Sequence, residues 1–282
     1  MNQLPPILLA FPGLLLASCG DGTLGYVFDA SLAGEFRLDE GTHTVAVRVP
    51  TGSVSIISGE AGRVKIKDGR SRLAADRAED LQVLRQLDFT LHPKTNHEPG
   101  VMELGTASLP VSLNPSKTAM IMRVLLEVPH DISVDIQTGR GPVSVVDRRA
   151  DITVHTGAGD LNFRRNQGNL VGFSGTGDCL VDSHRGGLDL QTMEGAVIAY
   201  VDELGKKGVQ LRTHAGSIQC KLPVGAAFDL DMLTEIGAGI SGYDLPVETL
   251  ERGVQIRGMV LGGGPEVRLW TARGDLSIYS KH

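Results

Sequence analysis

The chain has 282 residues, of which 41% are hydrophobic and 4% aromatic, with 36 glycines and a formal net charge of -6. This composition belongs to a core-forming globular protein rather than a disordered one, and few aromatics beside many glycines favour short strands and tight turns over a helical bundle. An acidic balance excludes general nucleic-acid binding, which needs a clustered basic excess to neutralise phosphates.

The first 19 residues, MNQLPPILLAFPGLLLASC, hold no Lys, Arg, Asp or Glu. Ile7 to Ala17 is an apolar run too short to span a bilayer comfortably, so the segment reads as an export signal. It closes on Leu16-Ala17-Ser18-Cys19, which resembles the lipobox of bacterial lipoproteins. That likeness implies cleavage before Cys19, lipidation of Cys19 and a membrane-anchored protein of the bacterial cell envelope. The usual Lys or Arg is missing at the front and Pro5, Pro6 and Pro12 interrupt the segment, which keeps an ordinary or mis-started signal, or a plain buried segment, open as alternatives. Residues 20–33 are expected to be a tether.

A single β-strand-repeat domain is expected over residues 34–280. In TVAVRVPTGSVSI, Val45 and Val47 precede Gly52, with Val54 and Ile56 after it, and Gly62, Val64 and Ile66 begin what reads as another unit. From about residue 70 to 123 the pattern is lost. There LAADRAEDLQVLRQL suits one short amphipathic helix, while LDFTLHP and VMELGT suit strands.

Beyond this section a period emerges. Gly141, Gly159, Gly177 and Gly195 are 18 residues apart, Gly216 follows after 21, and Gly274 repeats the phrase near the C-terminus. Three residues before each stands a hydroxyl: Thr138, Thr156, Ser174, Thr192, Thr213 and Thr271. Apolar residues alternate on both sides, as in Ile152/Val154 before Gly159 and Leu161/Phe163 after it. Alternation with period two on each side of a turn predicts two short strands per unit, each with one buried face, and fixed spacing predicts stacking. TVHTGAGDLNF is then a corner between two strands, with glycine supplying the backbone freedom of the turn. The fold expected is all-β, a β-solenoid of stacked two-strand rungs like a single-stranded β-helix, with one short helix in its irregular section. A second irregular section, 226–264, is expected to hold a distorted rung and a long loop.

With its VPHDISVDIQTGRG lead-in, its TGAGDLNF corner and its closing EVRLWTARGDLSIY, the chain resembles the bacterial "toast-rack" or "putative adhesin" domains. The resemblance spans about residues 34 to 280 and is strongest from Ile132 to Ile278. It implies a cell-envelope or surface role and carries over no catalytic residue.

Asp160, Asp178 and Asp275 directly follow repeat glycines, at spacings that suit turn stabilisation rather than calcium-binding β-roll repeats. Neither a metal-ligand spacing nor a GxSxG or HExxH motif is present, so no catalytic residue, metal or cofactor is assigned. Cys179 and Cys220 fall on inward columns two units apart and are expected to be reduced. Val171, Phe173, Leu180 and Ile198 fall at outward offsets and form a candidate partner patch, unless the 70–123 section packs over it. Trp270, on the last repeat, is either an end cap or a contact residue. Arg148, Arg149, Arg164, Arg165, Arg185, Lys206 and Lys207 follow successive second strands, as a solvated edge or a candidate site for an anionic glycan or lipid headgroup. These features point to a non-enzymatic envelope lipoprotein that binds or scaffolds an envelope protein. The alternative is an adhesin-like binder of anionic polysaccharide, and a polysaccharide-active enzyme stands behind both.

Overall fold

The computed structural model describes residues 26–86, 91–94, 99–105 and 118–281. The expected export signal, Cys19 and the first part of the expected tether lie outside these residues. Strands make up 71% of the described residues, which hold one short helix, so the fold is all-β. It divides into two compact units, residues 1–132 with 136–141, and residues 133–135 with 142–282.

The first unit holds β1 (Tyr26–Arg37), β2 (Thr44–Gly59), β3 (Arg63–Ala75), α1 (Ala78–Gln86), β4 (His92–Lys94), β5 (Val101–Gly105) and β6 (Thr118–Pro129). β1 takes up residues 26–33, placed in the tether by the sequence reading. β2 pairs in parallel with β5 through its first half and with β6 through its second. Val45, Val47, Val54 and Ile56 are fully buried, as their alternation predicts. Gly62, Val64 and Ile66 do not begin another parallel unit. Gly62 lies in the turn before β3 and Val64 and Ile66 at its start, and β3 runs antiparallel to both β1 and β6. Leu73 to Ala75 end β3, so α1 is shorter than its apolar pattern suggested; Leu81 and Leu84 bury one face of it on Leu73, Ala75 and Met120.

In the second unit the chain runs through β7 (Ser133–Arg140, of which Ser133–Asp135 belong here), β8 (Val143–Val146), β9 (Ile152–Ala158), β10 (Leu161–Arg164) and β11 (Leu170–Thr176). Two long strands follow, β12 (Cys179–Glu194) and β13 (Val197–Ala215), then β14 (Ile218–Leu222) and β15 (Phe228–Ile236). Last come β16 (Gly239–Ser241), β17 (Val247–Thr249), β18 (Val254–Val260), β19 (Glu266–Arg273) and β20 (Leu276–Ser280).

The expected stack of two-strand rungs is corrected here: the strands form a closed, seven-stranded parallel barrel with extra strands attached. One parallel ladder runs β9–β11–β12–β13–β19–β15 and a second runs β8–β10–β12–β13–β14–β20–β16. β12 and β13 belong to both. They bend through register shifts near His184 instead of ending there, so hydrogen bonding continues round the wall. Alternation cannot distinguish a strand that stops at a corner from one that bends through it, which is why the sequence suggested separate rungs.

The inward sets are those the alternation gave. Val143, Val145, Ile152, Val154, Leu161, Phe163, Cys179, Val181, Leu188, Leu190, Val197, Ala199, Val209, Leu211, Ile218, Cys220, Val267, Leu269, Leu276 and Ile278 are all at most 3% exposed. Each large aliphatic among them contributes about 1.5–3 kcal/mol on burial. Gly172 takes an inward place on β11 because Leu190 and Leu161 fill the space a side chain would need.

Two further expectations are corrected. The last repeat in the sequence is not last in space, since β19 lies between β13 and β15. The 226–264 section holds the expected rung, as β15 in the parallel ladder, but not the long loop: β16 pairs with β20, and β18 and β17 extend the ladder antiparallel.

Candidate functional site

The outward surface is set by how the wall turns. Gly159, Gly177, Gly195, Gly216, Gly274 and Gly237 all have positive φ, from 140° to 153°. A β-carbon on Gly177, Gly195, Gly216, Gly274 or Gly237 would fall 2.0–2.4 Å from the carbonyl oxygen of the adjacent strand's glycine. The hydroxyls three residues earlier close the same corner. Ser174, Thr192, Thr213, Thr271 and Thr234 each donate to the adjacent strand's glycine carbonyl at 2.8–3.1 Å. Asp160, Asp178 and Asp275 act across the same gap: their Oδ1 atoms accept the backbone N–H of Asp178, Ala196 and Ala238 at 2.8–2.9 Å. The aspartates thus cap the neighbouring turn.

A second corner has no glycine at its apex. Asp147, Arg165 and Ser183, 18 residues apart, have φ of 59°, 50° and 59°. The residue after each, Arg148, Asn166 or His184, turns inward and is 1% exposed. Asn166 ties the corner together: its Oδ1 accepts the Arg148 N–H at 2.9 Å and its Nδ2 donates to Val145 O at 2.9 Å. His184 Nε2 lies 3.1 Å from Gly187 O, which makes Nε2 the protonated nitrogen. Burial pushes the His184 pKa down, against the Gly187, Asn166 and Gly168 carbonyls and the Asp202 charge.

This corner carries the predicted cationic edge, and the structure divides it. Arg148 does not belong to it, because its side chain is buried in the core. Arg149, Arg164, Arg165, Arg185, Lys206 and Lys207 are exposed. Carboxylates interleave with them: Arg165 makes a two-pronged contact with Asp147 at 2.7 and 2.9 Å, and Arg164 Nε lies 3.7 Å from Asp182. Their hydrogen bond with Arg165 holds the Asp147 carboxyl below its ordinary value. Arg185 stands beside Glu203 in the ladder register.

The four apolar patch residues separate into two pairs. Leu180 and Ile198 are direct register partners on β12 and β13. Val171 and Phe173 lie on β11 in the other ladder, where Val171 is 40% exposed and the Phe173 ring centre is 6.2 Å from that of His155. Parity along a strand says which side chains point out, not which ladder they share. Trp270 is half-buried, between Arg212 and Leu233 in the register, and caps no end.

Cys179 and Cys220 are free and buried. Cys179 is level with Val197 and Ile218, so Cys220 lies two strands across, about 10 Å at the usual strand spacing, and two residues further along. Burial pushes both thiols up to about 12, with Asp178 and Asp160 adding to the effect at Cys179, which leaves neither a nucleophile at neutral pH. Among the described residues no three His, Cys, Asp or Glu side chains gather to hold a metal ion. No described helix is long and apolar enough to cross a membrane.

No family model and no curated protein matches the chain. Among solved structures it is similar to a "putative cell adhesion protein" from Clostridium sporogenes, at 12% identity over 89% of this chain and 100% of that one, with a TM-score of 0.38. A "putative adhesin" from Bacteroides fragilis is 10% identical over 90% and 97% of the two chains, with a TM-score of 0.37. Another from Parabacteroides distasonis is 6% identical over 90% and 97%, with a TM-score of 0.31.

Proposed function

We propose that this chain is a non-enzymatic, adhesin-like binding or scaffolding protein of the cell envelope, exported and held at a membrane through lipid on Cys19. The reading agrees with the names of the similar structures and rests on the chain's own surface. One observation carries the binding part: Leu180 and Ile198 stand side by side, facing outward, on hydrogen-bonded parallel strands. Apolar side chains on strands fixed by glycine and hydroxyl corners keep their places in solution, so little order is lost when an envelope protein docks. The alternative, an anionic polysaccharide along the cationic corner, has less behind it, because Arg148 is buried and Arg164 and Arg165 already face carboxylates.

The test is capture from envelope extract by the mature chain, comparing wild type with a Leu180→Asp, Ile198→Asp double variant shown by circular dichroism to be folded. A protein partner retained by wild type and lost by the variant is expected. Equal capture by both would overturn the apolar face. Labelling with radioactive palmitate, lost in Cys19→Ser, is the corresponding check on the anchor.

A further inference from the structure

The second unit ends in a strand with one side open. β17 pairs with β18 alone, in the antiparallel register Val247↔Ile256, Glu248↔Gln255 and Thr249↔Val254. The turn between them is closed by the Leu250 N–H donating to Gly253 O at 2.9 Å. Antiparallel bonding alternates, so Glu248 makes the next bonds to β18, while the N–H and C=O of Val247 and Thr249 face the other way. Among the described residues the only strand in register with β17 is β18, and β16 is in register with β20. All three β17 side chains are exposed, Val247 by 58%, so burial does not close the edge either. Edges are commonly protected by lysines, bulges or a covering element; here Pro246 guards only the entry to the strand.

The surroundings select the occupant. Residues 235–257 carry four carboxylates, Glu235, Asp244, Glu248 and Glu251, against two cations, Arg252 and Arg257, all six exposed, and Arg257 is already engaged by Asp231 at 2.8 Å. Ile240, 54% exposed, adds apolar surface on β16, which lies against β18: a β-carbon on Gly239 would be 3.1 Å from Val254. A second copy pairing two-fold through all three residues would set Glu248 against Glu248, and like charges directly opposite disfavour it. We infer that β17 is a strand-addition site for an extended segment of a partner protein that alternates basic and apolar residues. Main-chain bonds to Val247 and Thr249 supply the register, and the acidic surround selects the charge. The site shares no residue with the Leu180–Ile198 face.

The experiment measures fluorescence anisotropy of two short labelled peptides, one alternating lysine with valine and one glutamate with valine, against the full chain. The lysine peptide binds, and more weakly as salt rises; the glutamate peptide does not. Thr249→Pro removes an outward N–H and leaves the bonds to β18 in place, so it weakens the lysine peptide about tenfold. Glu248→Lys, which needs no backbone change, weakens it as well, and the Leu180→Asp, Ile198→Asp variant binds as wild type does. Equal binding of the two peptides, no binding of the lysine peptide, or full binding by folded Thr249→Pro and Glu248→Lys variants would each overturn the inference. So would a dimer in analytical ultracentrifugation that Thr249→Pro dissolves, which would give the edge to a second copy.

Discussion

The second unit turns its chain at two kinds of corner, built by opposite means. At Gly159, Gly177, Gly195, Gly216, Gly274 and Gly237 the side chain is missing, and successive backbones approach to distances no β-carbon would permit. At Asp147, Arg165 and Ser183 ordinary residues take a left-handed conformation, and the next side chain turns in to fill the corner. One corner is made by absence and the other by filling. The first therefore admits a single residue type, whereas the second holds Arg, Asn and His in successive turns, provided each finds polar partners inside.

The largest effect that would break this comparison is expected from Gly195→Ala. Its β-carbon would lie 2.1 Å from Gly177 O, with φ at 144°, and both neighbours are backbone that cannot swing aside. A cost above about 4 kcal/mol is expected, a large part of the stability of an ordinary domain, so the variant should be insoluble or melt without a cooperative transition. Gly225→Ala is the control. It has positive φ too, 76°, but nothing within 4 Å, and should cost about 1 kcal/mol. Thermal melts of the two variants that differ by only a few degrees would mean the glycine column is not closely stacked.

The difference between the corners also explains how much the sequence disclosed. The glycine corner was legible because its residue type is forced, and so were the inward columns, because period two survives any arrangement of parallel strands. The filled corner was not: Arg148 was read as surface because cations are seldom buried, and only its 18-residue spacing from Asn166 and His184 linked it to a column. Spatial order was equally hidden, since β19 pairs as well with β13 as β15 would, and nothing in a repeat records which strand returns to fill the gap. At the binding surface, Val171, Phe173, Leu180 and Ile198 were correctly read as outward but looked like one patch. The β17 edge gave no signal at all, because three residues outside the repeat carry no period.

A smaller but still substantial loss is expected at the filled corner from Asn166→Leu, which keeps the volume and removes both hydrogen bonds. The Arg148 N–H and Val145 O would be left buried without the amide that now pairs them. Burying unsatisfied backbone groups should cost about 2–4 kcal/mol, read as a lower urea midpoint at unchanged slope. A shift within 0.5 kcal/mol, roughly that of a surface change, would show that water or a neighbour replaces the amide and that this corner needs no particular chemistry.

The mildest test uses acid. His184 is held neutral in the fold because burial opposes its charge, so its folded pKa lies below the value near 6.5 that the unfolded chain shows. Above that pH neither state binds a proton at this ring and it contributes no pH dependence. As pH falls through about 6.5 the unfolded chain takes up a proton first, and stability falls with pH until the folded ring titrates as well. The carbonyls of Gly187, Asn166 and Gly168 and the charge of Asp202 favour the protonated ring and so limit the fall. The expected result is a urea midpoint that drops between pH 7.5 and 5 by more in wild type than in His184→Asn, whose amide fills part of the corner and does not titrate. Equal drops would show that His184 does not carry the acid sensitivity of this window, in which a carboxylate held below its ordinary value, such as Asp147, stays ionised in both states, and would leave the filled corner as indifferent to charge as the glycine corner is intolerant of bulk.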